Sequence, residues 1–246
     1  MQQDSLTYNL VMPVDSAFTQ STLVLPSQPV AEPMAQGNQS LALEILACVS
    51  LFIILLILRK IVNVYPSLIA CVMRWKESIN LEASVKLSRD RNAIALALVI
   101  PFCLIVEHFD LFYPSYMDGK GESMRILIVI GTFIIYGSLR LITAFFCRPK
   151  KQSDKSYVTG CKSMFTYFIL ITLILLCVGG VCEFISVRDS LTKEILLWLT
   201  GATYLFAIFR EFQIFVSSYS VFAAFLYLCA LELMPTGILL ASQFIF

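Results

Sequence analysis

Apolar and polar positions alternate in long blocks along this chain. Six blocks are long and apolar enough to cross a bilayer: Leu41–Leu58, Ala93 to about Phe109, about Arg125 to Phe146, Met164–Cys182, Ile195 to about Phe212, and Val221–Ile245. Roughly 20 helical residues, each rising 1.5 Å, cross a hydrocarbon core of about 30 Å. The first block is just long enough. The pattern predicts an all-α integral membrane protein, a bundle of six transmembrane helices forming one membrane domain over residues 41–246. Polar residues 1–40, with Pro13, Pro26, Pro29 and Pro33 and neither Lys nor Arg, predict an extended or disordered tail. They lack the positive start and immediate apolar run of a secretory signal.

The connection between the first two blocks is different. Arg59-Lys60 is expected to end the first helix, and seven basic residues occur before Asn92: Arg59, Lys60, Arg74, Lys76, Lys86, Arg89 and Arg91. Val62–Met73 is still rather apolar and contains Tyr65-Pro66. Arg74–Arg91 mixes both charge signs with Trp75, Ile79, Leu81, Val85 and Leu87. This composition predicts an amphipathic helix, or two, lying along the membrane surface between helices 1 and 2, with a solvated connector as the alternative. Between helices 2 and 3, Asp118-Gly119 signals a turn.

Composition strengthens the membrane reading. Of 246 residues, 58% are hydrophobic and 14% charged, and the mean hydropathy is +0.80. A soluble domain carries about a quarter charged residues. The net charge of +1 gives no reason to expect nucleic acid. Eight cysteines form no C-x-x-C pair and there is one histidine, so neither a disulfide framework, a zinc site nor any other metal or cofactor is expected. No phosphate-binding glycine loop or nucleophile elbow is present.

Charge distribution orients the bundle. The tail has no Lys or Arg, and the first connection has seven. The third has five: Arg148, Lys150, Lys151, Lys155 and Lys162. The positive-inside rule assigns both basic connections to the cytoplasm and both termini to the opposite, periplasmic side of a bacterial inner membrane.

Ionisable residues inside spanning helices cost about 2.5–3.5 kcal/mol on insertion scales, so they face a partner or water. Arg140, the Arg210-Glu211 pair and Glu232 qualify. Arg140 lies about seven residues from the cytoplasmic end of helix 3, and Glu232 about eleven from the cytoplasmic start of helix 6. The offset is roughly 6 Å. Side chains lean toward their own helix N-terminus, so on these antiparallel helices the two lean toward each other. An Arg140–Glu232 pair is expected, with Arg210 competing for Glu232 and Glu211 for Arg140. Pro235 adds a local demand, because it leaves the Leu231 carbonyl without its helical donor. Such a cluster is a packing device, a substrate or proton site, or a protonated Glu232 standing alone. Glu107, His108 and Asp110 form a second candidate for acid–base or metal work, set against the plain reading of a polar helix end. Glu44 has the same plain reading. Gly131, Gly137, Gly179, Gly180 and Gly201 are expected to permit close helix approach.

Four features resemble a family of six-helix bacterial membrane proteins, found chiefly in the Bacteroidetes and catalogued as domain of unknown function 4271. They are the basic connection Arg59–Arg91, Arg140 within helix 3, the Arg210-Glu211 step, and the closing Leu228-Cys-Ala-Leu-Glu-Leu-Met-Pro235. The resemblance covers about Leu41–Phe246. It implies an inner-membrane location and brings no activity. The function expected is therefore a non-enzymatic structural, scaffold or assembly component. The bilayer is its first partner, with other membrane proteins or a second copy as further ones. The rival is a small transporter or channel using the Arg/Glu cluster; a third class is an intramembrane enzyme using Glu107, His108 and Asp110.

Overall fold

A computed structural model describes residues 41–117, 119–147 and 154–245. The expected tail over residues 1–40, the basic residues Arg148, Lys150 and Lys151, and Asp118 lie outside them. The described residues form nine helices, a 3-10 turn at Ser115–Met117 and a π turn at Cys229–Leu233. In chain order the helices are α1 Leu41–Met73, α2 Trp75–Ala83, α3 Val85–Ala97, α4 Val99–His108, α5 Glu122–Phe146, α6 Asp154–Phe184, α7 Asp189–Val216, α8 Val221–Leu228 and α9 Met234–Ile245. Six helical stretches are long and apolar enough to cross a membrane: Glu44–Met73, Val85–His108, Glu122–Phe146, Ser156–Phe184, Asp189–Val216 and Val221–Gln243. The described residues are thus all-helical, with the six long apolar helices of a multi-pass membrane protein.

The first helix does not end at Arg59-Lys60. It continues through both residues and through Pro66 to Met73, 33 residues in all, about 50 Å at 1.5 Å each. Packing explains the extension. Ile61, Val64, Leu68 and Cys71 form a buried stripe at helical spacing. Ile61, Val64 and Leu68 meet Ile94, Ala95 and Leu98 of the second span and Ile169 of α6. That contact carries the helix past a proline that would break an isolated one. The earlier turns are different: Leu51, Phe52, Leu55 and Leu56 are each at least 60% exposed, as lipid-facing residues should be.

The chain breaks at Arg74 and Ser84, both extended, and the second span starts at Val85, not at Ala93. It has a joint at Leu98, between α3 and α4. Pro101 accounts for the joint. It has no N–H for the Ala97 carbonyl, and a proline is tolerated only in the first turn of the helix it joins. After α4, Asp110 (φ 47°) and Gly119 (φ 73°) take left-handed conformations that turn the chain into α5.

α6 and α7, joined by a short turn, pack against each other along the bundle. The second span packs on α1, α5 and α6, and α5 packs on the π turn and α9. An aromatic group of Tyr157, Phe215, Tyr219 and Tyr227 ties the start of α6 to the end of α7 and to α8.

Glycine permits close approach at only one of the five positions the sequence suggested. A Cβ at Gly131, Gly137, Gly180 or Gly201 would meet nothing within 4 Å; only Gly179 is tight, 3.0 Å from the Phe109 ring. The closest approach is at Gly160, where a Cβ would lie 2.6 Å from Cζ of Phe215. Phe215 is fully buried and has no room to give. Gly160→Ala is therefore expected to destabilise the protein by about 1–3 kcal/mol through overpacking. Gly131→Ala should be neutral or stabilising by about 1 kcal/mol, from helix propensity. Thermal unfolding midpoints of the two purified variants check this contrast.

Candidate functional site

The last span does not run as one regular helix. A π turn at Cys229–Leu233 separates α8 from α9, and Pro235 is the second residue of α9. A π turn moves carbonyl acceptance from residue i+4 to i+5, which suits a chain about to lose the N–H of a proline. Beside the proline, the carbonyl of Glu232 accepts side-chain hydroxyls. Thr236 Oγ1 donates to it at 2.5 Å and Tyr204 Oη at 3.3 Å, and the two hydroxyls lie 2.9 Å apart.

The same turn drives the Glu232 side chain into the bundle, where 1% of it is exposed. Arg140 of α5 meets it. Its Nε donates to Glu232 Oε1 at 2.8 Å, and its Nη2 donates to the same oxygen. Its Nη1 donates to the Cys161 carbonyl of α6 at 3.0 Å. Glu211 of α7 brings a second acid, its Oε1 3.7 Å from Arg140 Nη2. Ser163 Oγ lies 2.8 Å from that Glu211 oxygen and 2.8 Å from the Gly160 carbonyl. One guanidinium therefore faces two buried carboxyls, an excess of one negative charge if both are ionised. Glu232 Oε2 is buried without a hydrogen-bond partner.

Arg210 is not part of this cluster. It donates to Gln213 Oε1 at 2.9 Å and to the Met73 carbonyl at 3.2 Å. Its guanidinium stands 5.2 Å from the centre of the Phe206 ring. It completes the C-terminal end of α1, a natural place for a cation. The long α1 is what brings Met73 within its reach.

Glu107, His108 and Asp110 do not converge. Arg125 of α5 takes the two carboxylates, Glu107 Oε1 at 2.9 Å and Asp110 Oδ1 at 3.6 Å, with its guanidinium 5.6 Å from the Tyr113 ring centre. His108 turns the other way, to Glu183 Oε1 at 3.1 Å, and both of those side chains are more than half exposed. The group fastens α4 to α5 and to α6. Among the described residues no three His, Cys, Asp or Glu side chains form a set that could hold a metal.

A third polar cluster had no counterpart in the sequence reading. Arg91, 2% exposed, donates to Glu82 Oε2 at 2.9 Å, while Ser88 and Lys162 both donate to Glu82 Oε1. It joins α2, α3 and α6. The available signal was Arg91 itself, a cation one residue before an apolar run. Burial alone would raise the Glu82 carboxyl, but the Lys162 ammonium, Arg91 and the Ser88 hydroxyl together hold it below the ordinary carboxylate range.

No family model, curated protein or solved structure matches this chain.

The Glu82 cluster has a definite acid dependence. A carboxyl whose folded pKa is depressed stabilises the fold above its unfolded value, and that stabilisation is lost as pH falls through the folded value. The stability difference between the native chain and Glu82→Gln should be full above the ordinary value of 4.5 and shrink as the solution is acidified below it. Thermal unfolding of both proteins across a pH series measures this, and a difference independent of pH would contradict it.

Proposed function

We propose that this chain is a non-enzymatic, multi-pass component of a bacterial inner membrane that serves as a scaffold or assembly part. The observation that carries the proposal is the way Arg140 is used. Its donors go to Glu232 in the last span and to the Cys161 carbonyl in α6, with Glu211 of α7 alongside. Side-chain exposure at the three charged groups is 12%, 2% and 1%. Groups enclosed in this way fasten four spans together and offer no water-filled path. The separation of Glu107 and Asp110 from His108 likewise favours a fastening over an acid–base set.

Several further features belong to this proposal. Arg74, Lys76, Lys86, Arg89 and Arg91 cluster where the first two spans join, Arg59 and Lys60 lie further back along α1, and Lys162 and Arg210 join that same end through Glu82 and Met73. The positive-inside rule then supports that end in the cytoplasm and both termini on the periplasmic side. In α2, Ser78 and Leu81 face the bundle while Lys76 lies over the Trp75 ring, which supports a short amphipathic helix at the membrane surface. Other membrane proteins or a second copy are the partners a scaffold would meet. The closing Leu228–Pro235 segment supports membership of the domain of unknown function 4271 family.

The second carboxyl favours one other reading. Two buried carboxyls, Glu211 and Glu232, sharing one guanidinium are what a small transporter would use to carry a proton or a cation.

Three variants separate the two. Arg140→Met leaves two carboxyls without their cation and should lose about 3–5 kcal/mol, the cost of breaking a buried pair. Glu232→Gln should lose less, and Glu211→Gln least, because it removes the excess charge. Membrane abundance and unfolding midpoints in that order support the fastening role. Normal abundance of Glu211→Gln with loss of a proton or cation flux in proteoliposomes would support transport instead.

A further inference from the structure

The outward side of α1 carries charge where lipid should lie. Phe52, Leu56, Arg59, Asn63 and Pro66 are all exposed, and they follow one another at intervals of four, three, four and three residues. That spacing makes one straight seam along a helix. Ile61, Val64 and Leu68 form the buried side, and Ile57 packs on the same core. Arg59 is two residues from Ile57 and two from Ile61, so it lies about 160° round the helix from each. It points almost straight away from the bundle, and Lys60 is exposed beside it.

The depth of these cations is unusual. Ile61, Val64 and Leu68 share their cluster with Ile169, the central residue of α6, and with Ile94, Ala95 and Leu98 near the middle of the second span. On α6 the flanking charges Lys162 and Glu183 stand about 30 Å apart at 1.5 Å per residue, and Ile169 is about 10 Å or more from either. Arg59 and Lys60 are therefore level with the hydrocarbon core. Exposed apolar residues flank them on both sides, Leu51 and Leu55 before and Val62 and Ile69 after. Neither cation has a partner among the described residues, and nor does Asn63. Pro66 adds an acceptor to the same side, because it has no N–H for the Val62 carbonyl. Polar groups at this depth must be satisfied from outside the bundle.

Whatever covers the seam must be apolar over most of its length and negative at one level. A second copy does not supply this. Packing α1 on its own copy about a twofold axis would set like charges together. At this depth the chain's own carboxylates, Glu211 and Glu232, are buried against Arg140. The other carboxylates of the described residues lie near span ends or in connections. A phosphate headgroup in the surface layer is about 10 Å or more from this level. We infer that the seam docks one transmembrane helix of another membrane protein, with an Asp or Glu near its middle. That carboxylate pairs with Arg59 and Lys60, Asn63 fixes the register, and Phe52 and Leu56 pack on the partner's apolar turns. This surface is separate from the Arg140 cluster and does not depend on the fastening role.

The test uses the full chain in phosphatidylcholine vesicles. The probe is a synthetic polyleucine helix with one central Glu, and energy transfer to the labelled protein measures its binding. The Glu helix should bind about tenfold more tightly than an all-Leu helix. A helix with a central Lys should bind no more tightly than the all-Leu one. Arg59→Leu combined with Lys60→Leu should abolish the preference. Both side chains are exposed and without partners among the described residues, so the unfolding midpoint of that double variant should be no lower than the native one. Lys86→Leu removes an exposed cation at the start of the second span and should leave the preference unchanged. Equal binding of the Glu and all-Leu helices, or a preference that survives the double variant, would overturn the inference. Loss of the preference when phosphatidylglycerol replaces phosphatidylcholine would assign the seam to an anionic headgroup, and would overturn the partner helix.

Discussion

Arg140 carries three donor nitrogens into a region where lipid offers no acceptor, and the bundle is arranged to supply acceptors. Two of those nitrogens reach Glu232 and the third reaches the Cys161 carbonyl. That single side chain fixes α5 against α6 and the last span. An unpaired cation at this depth would cost more than most single contacts in the protein can return. The spacing of the helices around it is thus set by hydrogen-bond geometry as well as by packing.

The irregular last span follows from the same need. Glu232 reaches Arg140 from a π turn, and Pro235 prevents the regular helix that would replace that turn. The Thr236 and Tyr204 hydroxyls donate to the Glu232 carbonyl within that turn.

Much of this was legible in the sequence, for identifiable reasons. Six spans are legible because the cost of burying polar backbone and side chains in lipid leaves a strong apolar pattern. Arg140, Glu232 and the adjacent Arg210-Glu211 pair stood out as charges within such patterns, and the lean of antiparallel helices pointed to Arg140 and Glu232 as neighbours. Other features depend on contacts between distant residues. The extension of α1 past Pro66 rests on Leu68 and Val64 meeting Ile94 and Ile169. Arg210 reaches Met73 only because α1 is that long. Arg91 and Arg125 lie close to helix ends, where a charge is ordinary, so their partners Glu82 and Glu107 could not be read off. Gly160 is the tight glycine because Phe215 happens to oppose it, and a one-letter string does not record what faces a residue.

A double-mutant cycle on Arg140 and Glu232 tests the central claim most directly. Unfolding free energies would be measured for the native chain, Arg140→Met, Glu232→Leu and the double variant in one bilayer mimic. Direct pairing of these two side chains predicts that the double variant is more stable than the sum of the single losses implies, with a coupling of about 1–3 kcal/mol. Additive losses, within about 0.5 kcal/mol, would show that Arg140 and Glu232 do not support each other and would contradict the account.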